Sequence, residues 1–366
     1  MTRVLVAGAG IAAVECVLAL RELAGSQVEI ELLAPAAELV HRPSSVQTPF
    51  GADAAARIDL SALAARLDVV LRRDSLAAVA TADHQVVTRG ADRRDYDFLV
   101  VATGAPSRDA VPGAVTFRGP LSTGAVEGVI ARAAADPQLR LVFAAPEGAT
   151  WPLPIYELAL LSAAALRARG VDEPDITVVT AESAPLAALG TEPSAAVESA
   201  LARAGVDLIT DAAATVAIDG ALETRGGSLI GADVVIALPT LVGPHIPGLP
   251  ADGDGFIPID EHCRVQGCED VLAAGDATAF AVKHGSLATQ QADAAAEVIA
   301  AHVGALAEPG PFRPVLHGML LTGDDPLYIR AEIGVGATVS SEPLWTPAGK
   351  IVGRYISPFL TLPLQR

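Results

Sequence analysis

The chain has 366 residues, 51% of them hydrophobic and only 4% aromatic, and its 25 Lys and Arg against 43 Asp and Glu give a formal net charge of −18. So acidic a surface repels nucleic acid and anionic lipid, three cysteines are too few for a disulfide framework, and no run of about 18 apolar residues lacks charges. Nucleic-acid binding, a stapled secreted scaffold and a transmembrane segment are therefore not expected. The length predicts two or three domains, and the early first strand with no signal peptide ahead of it predicts a cytoplasmic protein.

Val4 to Ala7 reads as a buried strand running into Gly8-Ala-Gly10-Ile-Ala-Ala13, a Gly-x-Gly-x-x-Ala turn at the start of a helix that ends by Gly25. Gly8 permits the tight turn, Gly10 lets backbone approach a pyrophosphate, and Ala13 lets the helix pack closely on the strand. Unpaired N–H groups and the positive end of the helix dipole would face the diphosphate. A second strand spans Val28 to Leu33. The acidic residue that usually follows it, as ribose partner, is replaced by Ala34. Glu38 is the nearest downstream carboxylate and stands either as a substitute or as a solvated side chain. His41 and Arg42, beside Pro43, would reach a flavin ring or a phosphate, or simply tip a polar surface loop.

Residues 52–67 read as helical, and 68–101 as short strands separated by polar turns. The last of these strands ends in Val101-Ala-Thr103-Gly104, and a later one reads Val271-Leu-Ala-Ala-Gly275-Asp276-Ala277. With the opening turn, these are three fingerprints in order. On them the chain resembles the FAD-dependent pyridine nucleotide-disulfide oxidoreductase superfamily, the two-dinucleotide-domain flavoproteins. The resemblance implies FAD as cofactor, held noncovalently by Gly8, Gly10, Ala13, Glu38, Arg42, Thr103, Gly104, Gly275 and Asp276. The Asp276 carboxylate would accept a ribityl hydroxyl.

The same resemblance places a second nucleotide fold between the second and third fingerprints. A strand Leu139 to Ala145 and a helix Ile155 to Arg169 fit it, but the intervening turn reads Pro146-Glu-Gly-Ala-Thr-Trp151-Pro-Leu-Pro154 in place of glycines. Prolines stiffen that turn and Trp151 fills space that a pyrophosphate would need, so ordinary NAD(P)H binding is not expected. Ile176 to Val179 and a helix Ser194 to Ala204 complete the unit. The replaced turn is similar to that of sulfide:quinone oxidoreductases and type II NADH dehydrogenase-like members. Reactive cysteines of the former are missing. Cys16 reads as a core residue, and Cys263 and Cys268, though spaced like a redox pair, lie too late in the chain for that role. No metal site is expected.

After the third fingerprint, Lys283 and His284 precede a helix that runs to about His302. In the family this helix points its N-terminus at the flavin's pyrimidine edge, which implies that Lys283 tunes the ring and that His284 relays a proton, the plain alternatives being a solvated lysine and a helix-capping histidine. Glu157 falls where NADH dehydrogenases of the superfamily carry a glutamate, as base or polar anchor. Residues from Pro311 onward are predicted to fold back as a few strands over the flavin's open face.

The expected fold is α/β: a discontinuous Rossmann-like FAD domain (1–112 and 238–305), an inserted NAD(P)-domain-like unit (113–237) and a small C-terminal cap (306–366). The expected function is an FAD-dependent oxidoreductase exchanging a hydride or electrons with a small substrate. One alternative is an NAD(P)H- or ferredoxin-dependent reductase of quinones or electron carriers; another is a flavin-binding partner without turnover. Peripheral membrane contact is not expected, and a homodimer is compatible with the sequence.

Overall fold

In the strand Thr2–Ala7, Val4 and Val6 point into one core while Leu5 and Ala7 point into another. A strand buried on both faces belongs inside a parallel sheet. Here it is the centre of five parallel strands in the order Val271–Ala273, Phe98–Val101, Thr2–Ala7, Val28–Leu33, Val70–Arg72. The computed structural model describes residues 1–52 and 56–361. Among them are seven α-helices: α1 (Ile11–Ala24), α2 (Leu60–Arg66), α3 (Thr123–Ala135), α4 (Leu153–Arg167), α5 (Thr191–Arg203), α6 (Gly285–His302) and α7 (Ile356–Thr361).

Helices α1 and α6 cover the Val4 and Val6 face, where Ala12, Ala13, Val14 and Val17 share a core with Ala292, Ala295, Ala296 and Ile299. The abundant alanine lets the two helices approach closely. On the opposite face, Val79, Val86 and Tyr96 pack beneath Leu5 and Ala7. They come from, or flank, an antiparallel sheet of Leu76–Ala80, Gln85–Thr88 and Arg93–Asp95.

The same three layers recur in the middle of the chain. Five parallel strands run Val115–Thr116, Val234–Ala237, Leu141–Ala145, Ile176–Thr180, Asp207–Ile209. Leu141, Phe143 and Ala145 face the core with α3, α4 and α5, whereas Val142 and Ala144 face a second antiparallel sheet through Leu222. The C-terminal strands Val315–Leu320, Leu327–Glu332 and Gly336–Ser340 form an antiparallel sheet. Their Leu316, Leu320 and Ile329 join the α4 core. At α7, the fully buried Glu15 of α1 accepts hydrogen bonds from the N–H groups of Tyr355 (2.9 Å) and Ile356 (2.5 Å).

The structure corrects one expected element. Of the helix expected over 52–67, residues 53–55 lie outside the described residues, Arg57–Asp59 is a strand paired with Glu38–Val40, and only α2 is helical. Asp59 sets the helix start, since its carboxylate accepts from the N–H groups of Ser61 (2.7 Å) and Ala62 (2.8 Å). The stretch from His41 is not an open loop either. It winds into two 3-10 turns, Arg42–Val46 and Thr48–Phe50, that bury Ser45, Val46 and Pro49. The other helices and strands that were expected match to within three residues at each end, whereas α3 and α7 were not foreseen.

Candidate functional site

Parallel register brings the three fingerprint turns together. Ala7 pairs with Val101 and Val101 with Ala273, so Gly8, Thr103–Gly104 and Gly275–Asp276 sit at the carboxyl ends of three adjacent strands. That edge is where open α/β sheets bind ligands. Gly8 has φ +147°, and a Cβ there would lie 2.0 Å from the Ala102 carbonyl oxygen; only glycine lets the two backbones pass. A Cβ on Gly10 or Gly104, by contrast, would meet nothing within 4 Å, so both border open space. No side chain caps α1 at Gly10, and no acidic residue stands in its first turn. The helix therefore presents its leading N–H groups and positive dipole end to that space. Ala13 is fully buried in the α1–α6 core.

Asp276 is half-buried across the same space and has no hydrogen-bond partner among the described residues. Burial pushes its carboxyl pKa up, while the positive charges of Lys283 and Arg42 pull it down. Two residues missed by sequence reasoning hold this turn. Gln291 accepts the Gly275 N–H (2.7 Å) and reaches Thr278 (3.3 Å), whose hydroxyl donates to the Gly275 carbonyl (2.9 Å). Ala34 is buried at the end of its strand, as the sequence showed, and Glu38 forms an exposed ion pair with Arg57 at 2.9 Å.

Lys283 is buried. Its ammonium donates to the Thr278 carbonyl and lies 3.9 Å from the centre of the Phe256 ring. Burial lowers its pKa to about 8, against the opposing pull of Asp276 and Asp252. His284 caps α6, its Nδ1 accepting the Ser286 N–H at 3.2 Å, which fixes the proton of the neutral ring on Nε2. Burial, with the charges of His317 and Lys350, lowers its pKa to about 3. The ring lies 4.5 Å from that of Trp151, which also packs against Gly318. Trp151 thus fills the end of the turn that precedes α4.

Glu157, on α4, is 1% exposed and accepts from the Leu321 N–H (3.0 Å) and from the Lys350 ammonium, whose side chain is 9% exposed. Burial raises the Glu157 pKa, and Lys350 and Leu321 oppose the rise. Lys350 was missed because it is 193 residues away in a Gly- and Pro-rich stretch. Composition held a signal: Lys283 and Lys350 are the only lysines in the chain, all other basic residues of its 25 being arginine. Lys283 is buried just ahead of α6, and the Lys350 side chain is largely covered beside Glu157 of α4.

The three cysteines are free. Cys263 packs in the α1–α6 core and Cys268 against the core on the other face of the sheet. Burial pushes the thiols of Cys16, Cys263 and Cys268 all up, away from the reactive thiolate. No metal-binding cluster occurs among the described residues, and no helix there is long and apolar enough to cross a membrane.

The family model for pyridine nucleotide-disulphide oxidoreductase matches residues 158–296. No curated protein matches the sequence. The fold is similar to that of the sulfide:quinone oxidoreductase from the hyperthermophilic bacterium Aquifex aeolicus, with a TM-score of 0.85 and 18% identity over 93% of this chain and 87% of that one. It is also similar to the ferredoxin reductase for the CYP199A2 system from Rhodopseudomonas palustris (0.67, 22%, 90% and 82%) and to a covalent putidaredoxin reductase–putidaredoxin complex (0.67, 20%, 90% and 81%). At these identities the structural likeness is one of fold. By sequence, residues 158–296 match the pyridine nucleotide-disulphide oxidoreductase family, and by fold nine-tenths of the chain is similar to oxidoreductases of known structure.

Proposed function

We propose that the chain binds FAD and exchanges a hydride or electrons with a small substrate, using neither a redox-active cysteine pair nor an ordinary NAD(P)H loop. The observation that carries this reading is the Asp276 carboxylate, without a hydrogen-bond partner among the described residues, at the same sheet edge as the uncapped start of α1. A buried-edge carboxylate without a partner suits a polyol hydroxyl, and an uncapped helix start suits a diphosphate. Gly8, Gly10 and Ala13 would shape the diphosphate cradle, with Thr103, Gly104 and Gly275 as its rim. Arg42, near enough to act on Asp276, would face the same ligand, and Glu38 would have to leave Arg57 to reach a ribose. The division at 1–112 with 238–305, 113–237 and 306–366 accompanies this reading.

When bound, FAD supplies the ring that takes or gives the electrons. Lys283 would place a positive charge at the N-terminal end of α6, where the dipole already favours an anion. Neutral His284 would donate from Nε2. Glu157, locked by Lys350 and Leu321, would serve as anchor rather than base. Trp151 against His284 supports a route closed to NAD(P)H. An electron-carrier reductase is the second reading, favoured by the likeness in fold to the two redoxin reductases.

Anaerobic mixing of the purified protein with NADH, NADPH, sulfide and reduced ferredoxin tests both. FAD should co-purify and NADH and NADPH should bleach it slowly; rapid bleaching by either overturns the reading of residues 146–154. Fast reduction by ferredoxin alone selects the second reading. Protein that binds no FAD refutes both.

A further inference from the structure

A cavity of about 390 Å³ lies between the turn from His41 to Gln47 and the stretch from Pro347 to Ile351. Its volume is within the range of small-molecule sites. Three polar side chains face it from the first of these walls, His41, Ser44 and Gln47, and Lys350 faces it from the second.

Hydrogen bonds fix the state of His41. The Ser44 hydroxyl spends its one proton on the His41 carbonyl oxygen at 2.9 Å, so toward the imidazole it can only accept. The 3.0 Å contact between Ser44 Oγ and His41 Nδ1 must then carry a proton on Nδ1. In the neutral ring, Nε2 is left with a bare lone pair. Burial, and next the Lys350 charge, hold the His41 pKa below its ordinary value, which keeps that lone pair available. Lys350 donates one of its three protons to Glu157 and keeps the others. The same lysine charge lowers the His284 pKa, so the ammonium is within electrostatic reach of both imidazoles.

A proton acceptor and a cation in one small cavity select the chemistry of what fills it. A cationic ligand is repelled by Lys350. A carboxylate, already ionised, would satisfy Lys350 but leave the Nε2 lone pair facing an anion, and a molecule without a donor would leave Nε2 unpaired. A ligand with an acidic O–H or S–H group satisfies both.

We propose that this cavity binds a small, ring-sized molecule bearing an acidic O–H or S–H group, that His41 Nε2 takes its proton, and that the resulting anion rests beside the Lys350 ammonium. This names the substrate class for the function proposed above and rests on that reading only for the molecule's later oxidation or reduction. The proton transfer itself balances without any redox partner: the O–H or S–H bond breaks, the N–H bond forms, and the electron pair stays on the ligand.

The probe is 2,6-difluorophenol, whose ¹⁹F resonance moves on ionisation, added to the protein as purified at a pH where the free probe is mostly neutral. Saturable binding with the bound signal at the phenolate position is expected. His41→Phe should return the bound signal to the phenol position. Lys350→Met paired with Glu157→Gln, which leaves no lone buried charge, should weaken binding about tenfold, the scale of one charge-assisted hydrogen bond. Folding of each variant is checked by circular dichroism, and flavin content by visible absorbance of the same samples. No saturable binding, a neutral bound probe, or binding and ionisation unchanged in both variants overturns the proposal. Ionised binding to protein without flavin would leave this site standing and refute the FAD reading; flavin-loaded protein that ignores the probe would do the reverse.

Discussion

Lys350→Met is the sharpest test of the joint between α4 and the C-terminal segment. Methionine keeps most of the side chain's length and removes its charge, leaving the Glu157 carboxylate, 1% exposed, with the Leu321 N–H as its remaining partner. Removing one member of a buried ion pair costs about 3–5 kcal/mol when the other stays charged. Glu157 escapes part of that cost by taking up a proton. Its pKa, already raised by burial, rises further without Lys350, so the folded variant holds a proton that the unfolded chain releases above about pH 4.3. Stability is then lost as pH rises, by about 1.4 kcal/mol per unit, reaching the 3–5 kcal/mol ceiling roughly two to four units above 4.3. The variant should resemble the parent at pH 5 and be much weaker at pH 8. Adding Glu157→Gln supplies a neutral acceptor for Leu321 and should abolish the pH dependence. Urea unfolding followed by tryptophan emission reads this locally. The two tryptophans are Trp151, before α4, and Trp345, whose Nε1 donates to the Gly349 carbonyl at 2.9 Å. A loss equal at pH 5 and pH 8, or no loss at either, refutes the argument.

Gly8→Ala sets a Cβ 2.0 Å from the Ala102 oxygen and should destabilise by at least about 4 kcal/mol, or prevent folding, whereas Gly10→Ala should leave the melting temperature unchanged and lower the flavin content. Equal melting temperatures for the two would contradict the crossing of backbones described. Asp276→Ala should weaken flavin retention about tenfold or more, measured by dialysis and visible absorbance, and retention unchanged would remove Asp276 from the site. His284 has a folded pKa of about 3 against about 6.5 unfolded, so between these values the unfolded state binds more protons and stability falls as pH falls. Relative to His284→Asn, which can still cap α6, the parent should lose about 2 kcal/mol between pH 7 and pH 5 in urea titrations, and a flat difference would argue against a neutral buried ring. Cys263→Ala combined with Cys268→Ala should leave flavin reduction by any competent donor at the parental rate; its loss would restore a redox role for the pair.

What the sequence made legible was what is local. The run Val4 to Ala7, the small residues at 8, 10 and 13, and the Ala-Thr-Gly and Gly-Asp endings each encode a strand and a turn within a few neighbours. Parallel pairing then places all three turns at one sheet edge. The helix expected over 52–67 failed because Asp59 caps locally and Ile58 is drawn into a strand against Leu39, a pairing that no helical periodicity reveals. Lys350, Gln291 and Ser44 were out of reach for a different reason. Their partners, Glu157, Gly275 and His41, acquire meaning only through tertiary closure or through a count of protons on a hydroxyl. Lys283 lay between these cases. Its position ahead of α6 marked it, but its burial over Phe256 did not show in the sequence.

The parallel sheet that carries the opening turn is finished by Val271–Ala273, pairing with Phe98–Val101 across some 170 intervening residues. During synthesis at about 5–20 residues per second, that gap lasts roughly 10 to 35 seconds, in which the strand Phe98–Val101 waits with one edge unpaired. Gly8 and Thr103 emerge early, but Asp276 and α6, which close the same crevice and cover the same sheet face, come last. The second parallel sheet, by contrast, has all its strands in hand by residue 237. This order completes the second sheet before the first, and makes closure of the crevice a late event that depends on the edge strand's return. A pause or truncation before residue 273 should therefore leave a chain that exposes an unpaired sheet edge and holds no dinucleotide.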